Sequence, residues 1–238
     1  ADRGLRDCAL FEVGPQYSGI EPHDQQIVAT GVRSGRASHR HWAAAARPVD
    51  IFDVKADALG VLESLGTAVE RLKLTADAPP WYHPGRSGTL GFGPKNVLAV
   101  FGELHPAVLE QLGVRGPAAA FEVFLAALPA RRSRRADSQA LPLSSLQPLE
   151  RDFAFIVDAG VTAEAVLAAV RRAEAKLISD IRVFDVFAGG AIGERQKSIA
   201  ISVVLQPVEK TLTDAEIEAI AGRIVASVTK ATGGVLRS

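Results

Sequence analysis

The chain has 238 residues, of which 47% are hydrophobic and 23% are charged, so it can bury a substantial core and form one or two domains. Its 27 basic and 27 acidic residues give a formal net charge of +0, which excludes a global field that attracts nucleic acid or an anionic membrane. No apolar run reaches the roughly 20 residues of a membrane span, and the single cysteine, Cys8, excludes an internal disulfide. We therefore expect a cytoplasmic protein with no membrane partner.

The first 130 residues carry more strand signals than helix signals. The chain begins without methionine, and contains none, shortly before a strand-like segment, which suggests a piece of a longer polypeptide. Strands are predicted at CALFEVG (8–14), QQIVATGVRSG (25–35), NVLAVFGEL (96–104) and AAFEVFLAAL (119–128), the first two as buried strands. Helices are predicted from Asp50 through ESLG and over PAVLEQLG (106–113), where Pro106 lies in the first turn.

A segment of different composition follows. PARRSRRADSQALPLSSLQP (129–148) combines proline, serine and charge without apolar periodicity, which is typical of a linker. Its basic run, residues 131–135, is interpreted as solvated linker, with a phosphate-contacting clamp as the alternative. The sequence therefore predicts a domain over 1–130, a linker over 131–147 and a second domain over 148–238.

The second domain shows a regular alternation of strands and helices. RDFAFIVD (151–158) predicts a strand, and the next segment predicts a helix through Ile178 with Thr162 as N-cap. A glycine-containing turn separates the hairpin strands IRVFDVFAG (181–189) and SIAISVVLQ (198–206). A last helix has Thr213 and Glu216 as a capping box and ends at Gly233, before a short strand, VLR. The order βαββαβ predicts four antiparallel strands with both helices on one face.

Sheets of this shape often bind RNA through aromatic side chains on the open face. Phe153 and Phe155 share one face, whereas Phe184 and Phe187 lie on opposite faces of a regular strand. Core packing is the favoured interpretation of these rings, and base stacking is the alternative. Basic residues near the hairpin, Arg195 and Lys197 with Lys210, form either a local stripe for phosphates or solvated turn charge.

An ordered set of motifs resembles the bacterial phenylalanyl-tRNA synthetase beta subunit over nearly the whole chain. PLERDFAFIVD, VFDVF with its glycine turn, KSIAISVVLQ, TLTDAEI and GGVLR are similar to its C-terminal ferredoxin-like, anticodon-binding domain. LFEVG, DIFDVKADALGVLESLG, YHPGRSG and GELHP are similar, in the same order, to its catalytic-like module. The resemblance implies an α+β chain: a class II synthetase-like antiparallel sheet, incomplete at its N-terminus, followed by the ferredoxin-like domain.

The resemblance also gives expectations for the catalytic role, the partners and the cofactors of the chain. The resemblance implies that the upstream module is catalytically inert and docks on the alpha subunit of an α2β2 assembly, while the C-terminal domain binds phenylalanine tRNA. ATP and Mg²⁺ are expected for the complete enzyme and no cofactor for this fragment. LFEVG has no arginine ahead of Phe11 and Glu12 to clamp ATP phosphates, in agreement with inertness. The residues predicted to contact tRNA are Arg151, Arg195, Lys197 and Lys210.

Several upstream residues carry other hypotheses. His83, Arg86, Glu103 and His105 are predicted at a subunit interface, with His83 ordering a turn and His105 holding the turn into the Pro106 helix. A metal hydrolase is a minor alternative, suggested by the HxH of His39 and His41 or by Glu103 with His105. It is minor because the spacing fixes no third ligand.

Two other function classes stay open. A stand-alone enzyme would form phenylalanyl adenylate by itself, against which the missing arginine argues. A protein-interaction scaffold whose C-terminal domain does not bind RNA agrees with the neutral net charge.

Overall fold

The computed structural model describes residues 7–38, 40–43, 45–129, 144–190, 192–208 and 210–237. The chain separates into two compact units, Ala1–Arg135 and Ala136–Ser238, each of which is described by itself. Most of the predicted linker, including the basic run 131–135, lies outside the described residues. The predicted linker and domain bounds therefore stay predictions.

The N-terminal unit is built on a six-stranded antiparallel sheet. Its strands lie in the order β1-β2-β6-β5-β4-β3. They are β1 (Cys8–Tyr17), β2 (Gln25–Ser34), β3 (Lys73–Thr75), β4 (Tyr82–Gly93), β5 (Asn96–Leu104) and β6 (Ala118–Phe124). The helices are α1 (Ile51–Ser64) and α2 (Pro106–Gln111), with short 3-10 turns at Pro22–Asp24, Val69–Arg71 and Leu125–Ala127.

Helix α1 covers one face of this sheet. It begins where predicted, because the Asp50 carboxylate accepts from the backbone N–H of Phe52 and Asp53 while the Asp53 carboxylate accepts from the Asp50 N–H. The inward side chains of α1 are fully buried in a core formed with residues of β2, β4, β5 and β6. Those inward side chains are Val54, Ala58 and Leu62.

Three predictions for this unit need correction. Strand β1 is an exposed edge strand, with Phe11 85% exposed, because β2 is its single partner among the described strands. Apolar composition does not reveal a missing neighbour. The last strand ends at Phe124, where a 3-10 turn begins. YHPGRSG is the irregular start of β4, since its register shifts between Tyr82 and Ser87, and is not a turn between elements.

The C-terminal unit has the predicted βαββαβ order, and the α+β class is confirmed. Its four antiparallel strands lie in the order β10-β7-β9-β8. The elements are β7 (Leu149–Asp158), α3 (Ala163–Ala173), β8 (Ile178–Ala188), β9 (Gln196–Leu205), α4 (Asp214–Thr232) and β10 (Val235–Leu236).

The caps of both helices agree with prediction. The Thr162 hydroxyl accepts from the Ala165 N–H, and Thr213 with Glu216 forms the capping box of α4. Gly233 ends α4 in the left-handed region at φ 70°, which favours glycine. Helix α3 ends at Ala173, earlier than predicted, because the chain turns there and enters β8 at Ile178.

The core of this unit lies between the sheet and the two helices. Phe153 and Phe155 stack there, with ring centroids 6.2 Å apart, against apolar residues of β9, α3 and α4. Both rings are buried, so core packing is confirmed for this pair and base stacking is wrong. Helices α3 and α4 pack against one face of the sheet, and the opposite face is described below.

Candidate nucleic-acid interface

The face of the C-terminal sheet opposite α3 and α4 is termed the open face. Two rows of cross-strand partners define its centre. One row runs Phe187, Ser198, Ile156 and Val235, from β8 to β10. The next contains Asp185, Ala200 and Ala154, and ends at Arg237, whose N–H donates to the Ala154 carbonyl. Directly paired residues project to the same side, so the aromatic and acidic side chains of β8 flank small residues.

A β-bulge in β8 corrects the prediction for its two rings. The register advances from Val183, opposite Ile201, to Asp185, opposite Ala200, so Phe184 is an extra residue. Alternation after the bulge then places Phe187 on the open face beside Ser198. The side chains of Phe184 and Phe187 are 59% and 44% exposed, so core packing, the favoured interpretation, is wrong for these two rings. They are the rings of this unit, among its described residues, that remain accessible for stacking on a base.

Two glycines determine the backbone conformation of the loop that follows Phe187. Gly189 and Gly190 have φ angles of 94° and 63°, in the left-handed region that favours glycine. A Cβ at Gly190 would lie 3.4 Å from Cζ of Phe187, so the loop backbone approaches the ring closely. The glycine pair of the hairpin therefore both turns the chain and fixes the surroundings of the exposed ring.

The open face is acidic. By register it carries Glu150, Asp152, Asp158, Asp180 and Asp185. Arg182 contacts the carboxylates of Glu150, at 3.1 Å, and Asp180, at 3.2 Å. In the described part of the unit, Asp152 and Asp185 have no ion-pair partner. Such a face repels phosphates, but its carboxylates can accept hydrogen bonds from base amino groups.

Two of the predicted tRNA-contacting residues are held by α4. Arg151 Nη2 lies 3.2 Å from Glu218 Oε1, and Lys210 Nζ lies 2.7 Å from Glu216 Oε1. Hydrogen bonds from Lys210 and Thr213 lower the pKa of Glu216 to about 2. These exposed cations are already paired, so a phosphate would have to compete for them.

The other two predicted residues lie at the hairpin. Lys197 donates to the Ala159 carbonyl at 2.8 Å, and the exposed Arg195 has no ion-pair partner in the described part of the unit. Lys210 follows the far end of β9, about 30 Å from the Arg195 turn along ten strand residues. The structure therefore places Lys210 away from Arg195 and Lys197, so the alternative of one three-residue stripe is wrong. Whether any of these cations binds tRNA stays a prediction.

The predicted interface residues of the N-terminal unit cluster around the β4–β5 pair. Arg86 Nε donates to the Glu103 carboxylate across these strands. His83 Nδ1 accepts from the Gly85 N–H, and His105 Nδ1 caps α2 by accepting from the Ala107 N–H at 3.2 Å. The local role predicted for His105 is confirmed, and the bond from Gly85 agrees with the prediction that His83 orders the chain there. Contact with a subunit stays a prediction.

The metal hypothesis has little geometric support. His39 lies outside the described residues, and His41 Nδ1 accepts from the Ala43 N–H. No group of three or more metal-ligating side chains occurs among the residues that the structure describes. The described helices also include none long and apolar enough to cross a membrane.

The sheet of the N-terminal unit forms a concave surface on the side away from α1. This surface, termed the cup, has a volume of ≈ 800 Å³ and apolar walls that include Val32, Leu104, Leu109 and Ala120. On its floor Glu122 accepts from Gln16 Nε2 and Trp81 Nε1, each at 2.9 Å, and from the Tyr82 hydroxyl at 3.0 Å. Burial, and then the Glu122 charge, raises the pKa of Tyr82 well above its usual range.

Sequence reasoning missed both Glu122 and the exposure of Phe187 on the open face. The three donors to Glu122 are 106, 41 and 40 residues away along the chain, so no local motif reveals them. For Phe187 the missing information was the bulge at Phe184, because one extra residue changes the face of every later residue in the strand.

Two family models match the chain. The model for the phenylalanyl tRNA synthetase beta chain CLM domain matches residues 1–125. The model for the ferredoxin-fold anticodon binding domain matches residues 144–237, which include the whole open face. The division between the two matches agrees with the two compact units.

Curated relatives agree with these models. Phenylalanine–tRNA ligase beta subunits from Paramagnetospirillum magneticum, Rhodospirillum rubrum and Brucella abortus are 54%, 50% and 52% identical over 100% of this chain. The chain spans 30% of the length of each. A solved pyrrolysyl-tRNA synthetase from Desulfitobacterium hafniense is 16% identical over 52% of this chain and 41% of its own, with a TM-score of 0.37, too weak a likeness to support an argument. On the match to residues 1–125, the chain belongs to the phenylalanyl-tRNA synthetase beta-chain family.

Proposed function

We propose that the C-terminal unit holds the anticodon region of phenylalanine tRNA, as part of a cytoplasmic enzyme that attaches phenylalanine to this tRNA with ATP and Mg²⁺. The observation that carries the proposal is the open face, where the exposed Phe187 lies beside Ser198 and one row from Asp185, whose carboxylate has no ion-pair partner among the described residues. An anticodon loop supplies unstacked bases, which stack on aromatic rings and present amino groups to carboxylates.

Bases, and not phosphates, are the parts of the loop that suit this face. The carboxylates of the open face repel a phosphate backbone, whereas a stacked base carries no charge and its amino groups are donors. The exposed Arg195, on the loop after Phe187, is the nearest predicted cation along the chain for the adjoining phosphates. In this proposal Arg195 and Lys197 contribute to the affinity for tRNA by contacting phosphates. Phe187 and Asp185 contribute to recognition of the bases.

The N-terminal unit is proposed to dock on the alpha subunit of an α2β2 assembly and to carry out no chemistry itself. The cup lies on the sheet beside Glu12 of the LFEVG segment, and the described residues that line it include no arginine, lysine or histidine. ATP phosphates would meet only carboxylates there, which opposes adenylate formation. The edge formed by His83, Arg86, Glu103 and His105 is the proposed contact with the alpha subunit.

Alpha-subunit docking is tested separately from RNA binding. Arg86→Glu places a carboxylate opposite Glu103 and at the proposed contact. We expect it to weaken binding of purified alpha subunit to the chain about tenfold, measured by calorimetry, because like charges repel across an interface. Arg47→Glu, which breaks an ion pair with Asp53, serves as the matched control. Equal affinities for both variants would remove this edge from the interface.

The acidic open face also favours a second candidate, a protein-interaction scaffold that does not bind RNA. Two of the four predicted cations are already paired with glutamates of α4, which leaves few free charges for a phosphate backbone. Such a scaffold predicts that the double variant Arg195→Glu, Lys197→Glu leaves aminoacylation by the complete enzyme unchanged. The tRNA-binding proposal predicts a large rise in the apparent KM for tRNA.

A binding experiment on the 238-residue chain distinguishes tRNA binding from the scaffold function. Fluorescence anisotropy with phenylalanine tRNA and an unrelated tRNA, across a salt titration, measures preference and the number of phosphates contacted. Because stacking on one ring contributes about 1–3 kcal/mol, we expect Phe187→Ala to weaken binding by a factor between about 5 and about 160. Phe11→Ala, at an exposed ring of the other unit, is the matched control. Equal affinity of all three proteins, or no binding at low salt, supports the scaffold.

A further inference from the structure

The cup of the N-terminal unit contains negative charge that the described part of the chain does not neutralise. Glu122 accepts three hydrogen bonds, from Gln16, Trp81 and Tyr82, and all three donors are neutral. Glu12 also lines the cup and is exposed. Neither carboxylate has an ion-pair partner among the described residues.

The two carboxylates lie in one row across the sheet. Glu12 pairs with Thr30, and Thr30 pairs with Glu122, so both side chains project into the cup from strands two positions apart. Strand spacing places their backbones about 10 Å apart. The Thr30 hydroxyl between them donates to the Phe121 carbonyl at 2.8 Å and is therefore already used. A small cation located over Thr30 would be attracted by both.

The donors to Glu122 also fix its orientation. The two donors to Oε1 come from adjacent residues of one segment, and Gln16 in turn accepts on Oε1 from Gln26 Nε2 at 3.0 Å. A carboxylate has about four acceptor positions, so one remains after three bonds. The side chain therefore needs little rearrangement to accept from a fourth donor, which favours binding.

The walls of the cup define the rest of the ligand. Val32, Leu104, Leu109 and Ala120 come from the sheet and α2, and Leu112 forms part of the rim. A volume of ≈ 800 Å³ lies within the range of small-molecule sites. Because the described lining contains no cation, a carboxylate or phosphate on the ligand would be repelled.

We propose that the cup binds a primary amine with an aromatic or branched aliphatic body and no anionic group. The ammonium lies over Thr30 and donates to Glu122 and Glu12, and the apolar body lies against Val32, Leu104 and Ala120. The cup belongs to the N-terminal unit, and this proposal does not depend on the function proposed for the C-terminal unit.

Titration of the chain with 2-phenylethylamine tests the proposal, with 3-phenylpropionate as a probe of similar size and opposite charge. The fluorescence of Trp81, whose Nε1 contacts Glu122, reports on the cup in a Trp42→Phe background, where it is the remaining tryptophan. We expect saturable binding of the amine and at least about tenfold weaker binding of the acid, because the acid loses a charge-assisted hydrogen bond. Phenylalanine, which carries both charges, should bind with intermediate affinity.

Three variants test whether the amine binds in the cup. Glu122→Gln keeps an oxygen for Trp81 and Tyr82 but removes the charge, so amine affinity should fall about tenfold. Leu112→Lys, at an exposed rim position that tolerates polar side chains, should lower it without disturbing the floor. Glu110→Gln, on the exposed side of α2, is the matched control and should have no effect.

Several results would overturn the proposal. These are equal affinities for the amine and the acid, an unchanged amine affinity in both Glu122→Gln and Leu112→Lys, or a flat titration. A flat titration together with a dimer in sedimentation velocity would assign the cup to a second copy of the chain.

Discussion

The two sheets of this chain share a plan and differ in the face that each leaves accessible. Each is antiparallel and buries one face, under α1 in the N-terminal unit and under α3 and α4 in the C-terminal unit. The accessible face of the first is concave and apolar, with a fixed carboxylate on its floor. That of the second carries the exposed ring of Phe187 and, on the same edge strand, the carboxylate of Asp185, which has no ion-pair partner among the described residues. Fold class therefore does not decide what these units bind, whereas the side chains of the accessible faces do.

Core residues of the two units should contribute similarly to the free energy of unfolding. Substitutions of these residues should have the largest effects on stability. Phe155 and Leu62 are both fully buried, one in each unit. We expect Phe155→Ala to lower the free energy of unfolding by about 3–5 kcal/mol and Leu62→Ala by about 2–5 kcal/mol, because each leaves a cavity. Urea unfolding followed by circular dichroism measures both. An effect below about 1 kcal/mol for either would show that its unit is loosely packed.

Acid should affect both units in the same direction. A hydrogen bond from Arg47, helped by the Asp50 N–H, lowers the pKa of Asp53 to about 2, and Lys210 with Thr213 lowers that of Glu216 to about 2. Because these pKa values are depressed in the folded state, the stabilisation is present above about pH 4 and is lost as the pH falls toward 2. Asp53→Asn and Glu216→Gln should each lower the melting temperature at pH 7 and flatten its decline between pH 4 and 2.

Thermal melts at several pH values check this expectation. Asp214→Asn, in the first turn of α4 with no hydrogen bond to Lys210, provides a control for the loss of one carboxylate. A decline of unchanged steepness in both variants would show that these capping boxes are not the source of acid sensitivity.

The ion pair between Arg86 and Glu103 should have the smallest effect on stability. The Arg86 side chain is half exposed, and exposed pairs contribute about 0.2–1 kcal/mol. A double-mutant cycle with Arg86→Ala and Glu103→Ala measures the coupling free energy. A value above about 2 kcal/mol would make this pair a structural element of the β4–β5 edge and would weaken its assignment to a subunit contact.

Local signals were sufficient for much of the fold. The bounds of β5, the cap of α1 at Asp50 and the capping box of α4 follow from residues within one turn or one strand. What could not be predicted depends on distant partners. The exposure of β1 depends on the absence of a second neighbour among the described strands, and the face of Phe187 depends on a bulge. The donors to Glu122 are Gln16 in β1 and the adjacent residues Trp81 and Tyr82 at the start of β4.

The most direct test of the account is to locate the anticodon loop on the chain. Phenylalanine tRNA with 4-thiouridine in its anticodon loop is cross-linked to the 238-residue chain by light, and the tryptic peptides are identified by mass spectrometry. Cleavage after Arg182 and Arg195 isolates VFDVFAGGAIGER, which contains the exposed rings and Asp185. The account predicts that the main cross-link lies in this peptide and is lost in Phe187→Ala. A main cross-link in a peptide of the N-terminal unit would contradict it.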